Sequence, residues 1–174
     1  MSDGWDKPFR LHELARGPVG LTLAPDEGER AAVAKRLGLR GLPALKAELT
    51  VKPWLDGAEI AGRFDAVVEY VCGVTLEPFE QAISGEIHVR AVPAGSPSAP
   101  TEAGGGEMEL DLEAEDPPDV LAGDAVDLAE YVVEHLSLEI DPFPRKPGAS
   151  FDYAPEAEEE SPFAVLKKLK DPKP

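Results

Sequence analysis

The chain has 174 residues, which suits one domain with tails, and its 43% hydrophobic content can fill a modest core. Its 34 acidic against 17 basic side chains leave a formal charge of -17, which argues against broad, charge-driven contact with nucleic-acid phosphate. No apolar run approaches the roughly 20 residues that span a bilayer, and Met1-Ser2-Asp3-Gly4-Trp5-Asp6 has neither a basic nor an apolar leader region, so a cytoplasmic protein with no membrane partner is expected.

The first expected element is a short strand at 9–14. A helix follows from Pro25-Asp26-Glu27, with Ala31, Val33, Ala34 and Leu37 on its apolar side. Acidic residues open it and Lys35-Arg36 close it, each sign favoured by the helix dipole at its own end, and Gly38 and Gly41 stop it. From Ala44 the period changes to two: Leu45, Ala47, Leu49 and Val51 alternate with Lys46, Glu48, Thr50 and Lys52, as a half-buried strand requires. Pro53 is expected to end that strand, and Asp56-Gly57 to supply the turn of a hairpin.

On the returning strand Ile60, Gly62, Phe64, Ala66, Val68, Tyr70 and Cys72 share one face, which turns Cys72 inward. After Thr75-Leu76-Glu77-Pro78, a third strand places Phe79, Gln81, Ile83, Gly85, Ile87 and Val89 on its apolar face. Residues 93–106 are rich in Pro, Gly, Ser and Ala and cannot offset their own ordering entropy, so they read as a mobile loop. Met108, Leu110 and Leu112 alternate with acids and predict one more strand. Asp127 with Glu130 three residues on predicts a capping box, and Leu128, Tyr131, Val132, His135 and Leu136 recur at helical spacing. Beyond an extended segment fixed by Pro142, Pro144 and Pro147, residues 154–161 are an acidic, disorder-prone run, and 163–170 a short basic amphipathic element.

These elements predict an α+β fold, an antiparallel β-sheet or partly open barrel covered by two helices. Residues 1–148 are expected to form the single domain, and 149–174 an acidic linker with a flexible C-terminal tail.

Chemistry-bearing residues are sparse. One cysteine cannot form an internal disulfide, and with only three histidines the chain lacks the donors of a closed zinc shell. Cys72 has no His, Asp or Asn neighbour to activate it and reads as a reduced, buried thiol. The carboxylates of 107–119 lack EF-hand spacing and read as a solvated strand face. His135 reads as a hydrogen-bonded core or boundary residue, and His88 lies on a polar strand face. No G-x-S-x-G, H-E-x-x-H, Walker A or dinucleotide fingerprint is present. No catalytic residue, metal ligand or cofactor is therefore expected, and the protein does not read as an enzyme.

Tyr70-Val71-Cys72-Gly73-Val74-Thr75-Leu76-Glu77-Pro78-Phe79-Glu80, together with Asp127-Leu128-Ala129-Glu130-Tyr131-Val132-Val133-Glu134 and Asp141-Pro142-Phe143-Pro144-Arg145-Lys146-Pro147-Gly148, resembles the YceD family of large-subunit ribosomal RNA accumulation proteins. The resemblance implies a non-catalytic role in large ribosomal subunit biogenesis. It also implies paired cysteines suited to zinc, but Val74-Thr75 and Pro142-Phe143-Pro144-Arg145-Lys146 stand where further cysteines would fall, so no metal role carries over. Charge then suggests an assembly factor or escort: Glu107, Glu109, Asp111 and Glu113 would engage a basic ribosomal protein or another assembly factor. Arg145, Lys146, Lys167, Lys168 and Lys170 could add contact with rRNA; DNA is not an expected partner. The alternatives are a general protein-interaction module outside the ribosome and a metal-dependent or nucleotide-dependent enzyme.

Overall fold

The computed structural model describes residues 4–100 and 116–151. Its elements in chain order are β1 (Pro8–Arg10), a 3-10 helix (Leu11–Arg16), β2 (Val19–Leu23), α1 (Glu27–Arg36), β3 (Gly41–Trp54), β4 (Gly57–Val71), β5 (Pro78–Pro93), β6 (Asp119–Leu121), β7 (Ala125–Asp127) and α2 (Leu128–Glu139). A five-stranded sheet runs in the order β2-β3-β4-β5-β6, and β1 pairs with β7 as a separate ribbon. Every pairing is antiparallel except the short one between β5 and β6. The fold is α+β with an open sheet rather than a closed barrel.

The alternation read from the sequence sets the two faces. Leu45, Ala47, Leu49 and Val51 on β3 and Ile60, Phe64, Ala66 and Val68 on β4 are buried, with Lys46, Glu48, Thr50, Arg63 and Asp65 exposed between them. On β5 the same register opposes Ile87 to Gly62 and Gly85 to Phe64. The helices close this face: α1 lies against β3 and α2 against β5. Val33 and Ala34 of α1 and Leu128, Val132 and Leu136 of α2 join the sheet residues in one core cluster. The α1 start is a capping box, with Glu29 N–H donating to Asp26 Oδ1 and Asp26 N–H to Glu29 Oε2, both at 2.8 Å.

Four local expectations change. The strand expected at 9–14 ends at Arg10, because Phe9 and Leu14 are both buried yet have opposite parity, so an extended chain would send them to opposite faces. Pro53 does not stop β3 but pairs with Ala58 inside it; β2 ends its pairing at Val51, so one side of β3 has no ladder to serve there. The hairpin turn lies at Leu55 and Asp56, with Leu55 at φ 53. Gly57 is required for another reason: a Cβ on it would stand 2.0 Å from the Ala91 carbonyl oxygen. Asp127 does cap α2, accepting from Ala129 N at 3.0 Å and also from Lys7 N at 2.9 Å. Glu130 closes no box, because both its carboxylate oxygens are held by the Arg36 guanidinium of α1.

Strands β2, β6 and β7 add to those expected. Of the loop expected at 93–106, residues up to 100 are described and carry turn bonds from Ser96 N to Pro93 O and from Ala99 N to Ser96 O, both 3.1 Å. The strand expected at 108–112, the acidic run at 154–161 and the basic element at 163–170 lie outside the described residues.

Candidate functional site

Where β4 ends, the chain makes a knuckle around Cys72. The N–H groups of Val74 and Thr75 point back at the Cys72 sulfur, and so does that of Lys146 from the far end of the chain, each at 3.4 Å. Gly73 N–H donates to Pro144 O, and Cys72 N–H to Glu77 O, both at 2.9 Å. Leu76 closes the loop at φ 59 and donates to Cys72 O. The segment after α2 is therefore stapled to the β4–β5 connection by two backbone-donated bonds, and Lys146 Nζ adds an ion pair with Glu77 at 2.9 Å. Above the knuckle, Asp141 N–H donates to the Tyr70 hydroxyl at 3.3 Å, and the Tyr70 and Phe79 rings meet at 5.7 Å.

These donors control the thiol. Hydrogen bonding from Thr75, through its side chain first and then its backbone, followed by the Lys146 N–H, brings the Cys72 pKa from 9.0 down to about 6 against the opposing pull of desolvation. The Thr75 side chain and the three N–H groups all favour the thiolate over the thiol. The residue is buried, as its parity implied, but it is not a member of the core cluster, because loop rather than sheet covers it.

A metal does not fit this knuckle. The position three residues after Cys72 is Thr75, which donates to the sulfur rather than sharing a metal with it, and the chain from the far side presents an N–H and the Lys146 ammonium. Among the described residues no group of three or more His, Cys, Asp or Glu side chains could hold an ion.

The thiol makes a pH prediction. Its pKa is lower in the folded state, so its contribution to stability is fully present above the unfolded value of 9.0 and is lost as pH falls through about 6. The gap in stability between the wild-type protein and Cys72→Ser should widen as pH rises across that window. Urea unfolding of both proteins at several pH values measures it; a gap that does not change with pH would mean that the thiol stays protonated.

Of the other candidate contact residues, Arg145 is exposed and forms no ion pair with a described residue, whereas Lys146 is committed to Glu77, and each raises or lowers the other's pKa in the stabilising direction. The structure thus separates two neighbours that look alike in sequence. Phe143 and Leu76 stand out from the same loops, 79% and 77% exposed. Glu107, Glu109, Asp111, Glu113, Lys167, Lys168 and Lys170 lie outside the described residues.

Sequence reasoning missed a second feature, a cleft of about 470 Å³ between the end of β5, the start of β6 and α2, bounded by His88, Asp116, Asp119, Tyr131, Glu134 and His135. The Tyr131 hydroxyl donates to Asp119 Oδ2 at 2.8 Å, and burial beside that carboxylate pushes its pKa up. His135 Nδ1–H donates to the Tyr131 carbonyl oxygen at 2.9 Å, which makes it the hydrogen-bonded boundary residue expected. His88 Nε2 is 3.8 Å from Glu59. Among the described residues that line the cleft there is no Ser, Thr or Cys. The signal was weak because β6 is three residues long and its neighbour on β5 is distant in sequence.

Compared with known proteins, residues 60–170 match the family model described as large ribosomal RNA subunit accumulation protein YceD. No curated protein and no solved structure matches the chain. The matched stretch runs from β4 through the knuckle, the cleft and the segment that Lys146 staples in place.

Proposed function

The chain belongs to the YceD family, and from that premise we propose that it is a non-catalytic factor in large ribosomal subunit biogenesis, needed for large-subunit rRNA to accumulate. The family match over residues 60–170 carries this reading. The net charge of -17 supports its finer form: a cytoplasmic assembly factor or escort whose acidic residues, Glu107, Glu109, Asp111 and Glu113 among them, engage a basic ribosomal protein or assembly factor. Arg145 is the contact residue of the knuckle, since Lys146 is occupied by Glu77. Domain 1–148 carries these contacts, and the lysines of 149–174 lie beyond it in sequence.

Affinity capture read by RNA sequencing and mass spectrometry tests this. Changing Glu107, Glu109, Asp111 and Glu113 together to lysine should weaken capture of large-subunit components by about tenfold or more, with thermal unfolding unchanged. If capture survives that reversal but is lost on neutralising Arg145, Lys146, Lys167, Lys168 and Lys170, direct phosphate recognition replaces the protein-escort reading.

A further inference from the structure

We propose that the open edge of β5, residues 79–89, is a docking strand for an extended, lysine- or arginine-rich segment of a partner protein; this rests on the reading of a basic protein partner given above and says where such a partner binds. β5 pairs with β4 without interruption from Pro78 to Ala91, but among the described residues its other side is paired only at Ala91, Val92 and Pro93, with β6. No backbone bond from a described residue reaches that other side between 79 and 89. Alternate residues of such an edge direct their N–H and C=O groups into solvent.

Long free edges are normally blunted by proline, lysine, a bulge or brevity. Between 79 and 89 there is no proline and no lysine, and the register with β4 is unbroken. What the edge carries instead is acid. Glu80 and Glu86 are exposed on the strand itself. Glu134 and Glu139 are exposed on α2, and Glu139 Cγ lies 3.1 Å from where a Cβ on Gly85 would stand, which places that side chain over the strand. Asp116 and Asp119 border the cleft at the end where β6 stops. At that end His88 Nε2 and the Arg90 guanidinium both lie 3.8 Å from Glu59.

The acidic rim selects the occupant. A second copy of the chain would bring two such rims together, and RNA would bring phosphate to carboxylate; a basic extended segment meets complementary charge. Added to β5, it would gain main-chain hydrogen bonds, with its alternate side chains divided between the two faces. Phe79, Ile83 and Val89 are half-buried and can pack against apolar ones. The cleft has room for a long basic side chain, whose alkyl stem would lie against Leu138, 77% exposed.

Amide hydrogen exchange on the full chain tests this, with a soluble decapeptide of alternating lysine and valine as the probe and a glutamate–valine peptide as control. Free protein should show alternate amides from 79 to 89 exchanging fast. The lysine peptide should slow those same amides by about tenfold or more, the glutamate peptide should not, and Glu80→Lys with Glu86→Lys should remove the effect while leaving thermal unfolding unchanged. Uniformly protected β5 amides in the free protein, or binding of the lysine peptide with no change at β5, would overturn the proposal. Capture of large-subunit components with unresponsive β5 amides would sink the docking edge and leave the biogenesis role standing; responsive amides without any large-subunit capture would do the reverse.

Discussion

Phe64→Ala should lower the stability of the domain by about 3–5 kcal/mol, the range for truncating a large buried aromatic, and its melting temperature by roughly 6–20 °C for a protein of this size. Phe64 is fully buried at the centre of β4, the strand flanked on both sides by long neighbours. Its ring occupies the space that Gly85 of β5 leaves open: a Cβ on Gly85 would stand 2.6 Å from Phe64 Cε1. Glu139 of α2 closes the same space. Removing the ring leaves a void between sheet and helix that a glycine cannot fill. Denaturant unfolding measures the loss, and a cost below about 1.5 kcal/mol would mean that α2 settles onto the sheet.

Gly62→Ala should cost about 3 kcal/mol or more, although it adds a single methyl group. That Cβ would lie 2.1 Å from the Glu48 carbonyl oxygen and 2.9 Å from Leu49 Cα, so backbone rather than a flexible side chain must move. The shift would open the β3–β4 ladder at its middle, where Gly62 faces Leu49. Gly20→Ala is the matched control, since nothing lies within 4 Å of a Cβ there and no positive φ is involved. It should change stability by no more than about 0.5 kcal/mol. Thermal unfolding of the two variants side by side checks the contrast; equal effects would refute the close-approach account.

The sheet was legible where a physical period wrote itself into composition. The alternation along β3, β4 and β5 and the Asp26 cap of α1 are local, and local patterning survives in the folded chain. Glu130 misled because its alternative partner, Arg36, is 94 positions away, and spacing cannot register a competitor at that distance. β1, β6 and β7 have three residues each, too few to show a period. Cys72 was read by looking for His, Asp or Asn neighbours, whereas its partners are the Thr75 side chain and backbone N–H groups, which every residue type but proline possesses. That no described residue pairs with the second edge of β5 between 79 and 89 is invisible in sequence for a related reason: a strand looks the same whether or not it has a second neighbour.

The ribbon of β1 and β7 also dictates an order of events during synthesis. Lys7 and Asp127, joined by a 2.9 Å bond, are 120 positions apart, and Leu128 N–H donates to Lys7 O at the same junction. The segment around Lys7 leaves the ribosome long before Asp127, and this ribbon cannot form until β7 has emerged. The meander of β2 to β5 joins neighbours in the chain and can close while translation continues. Phe9, buried in the finished protein, pairs with Val126, so one of the last parts of the domain to be made is what completes the setting of its earliest strand.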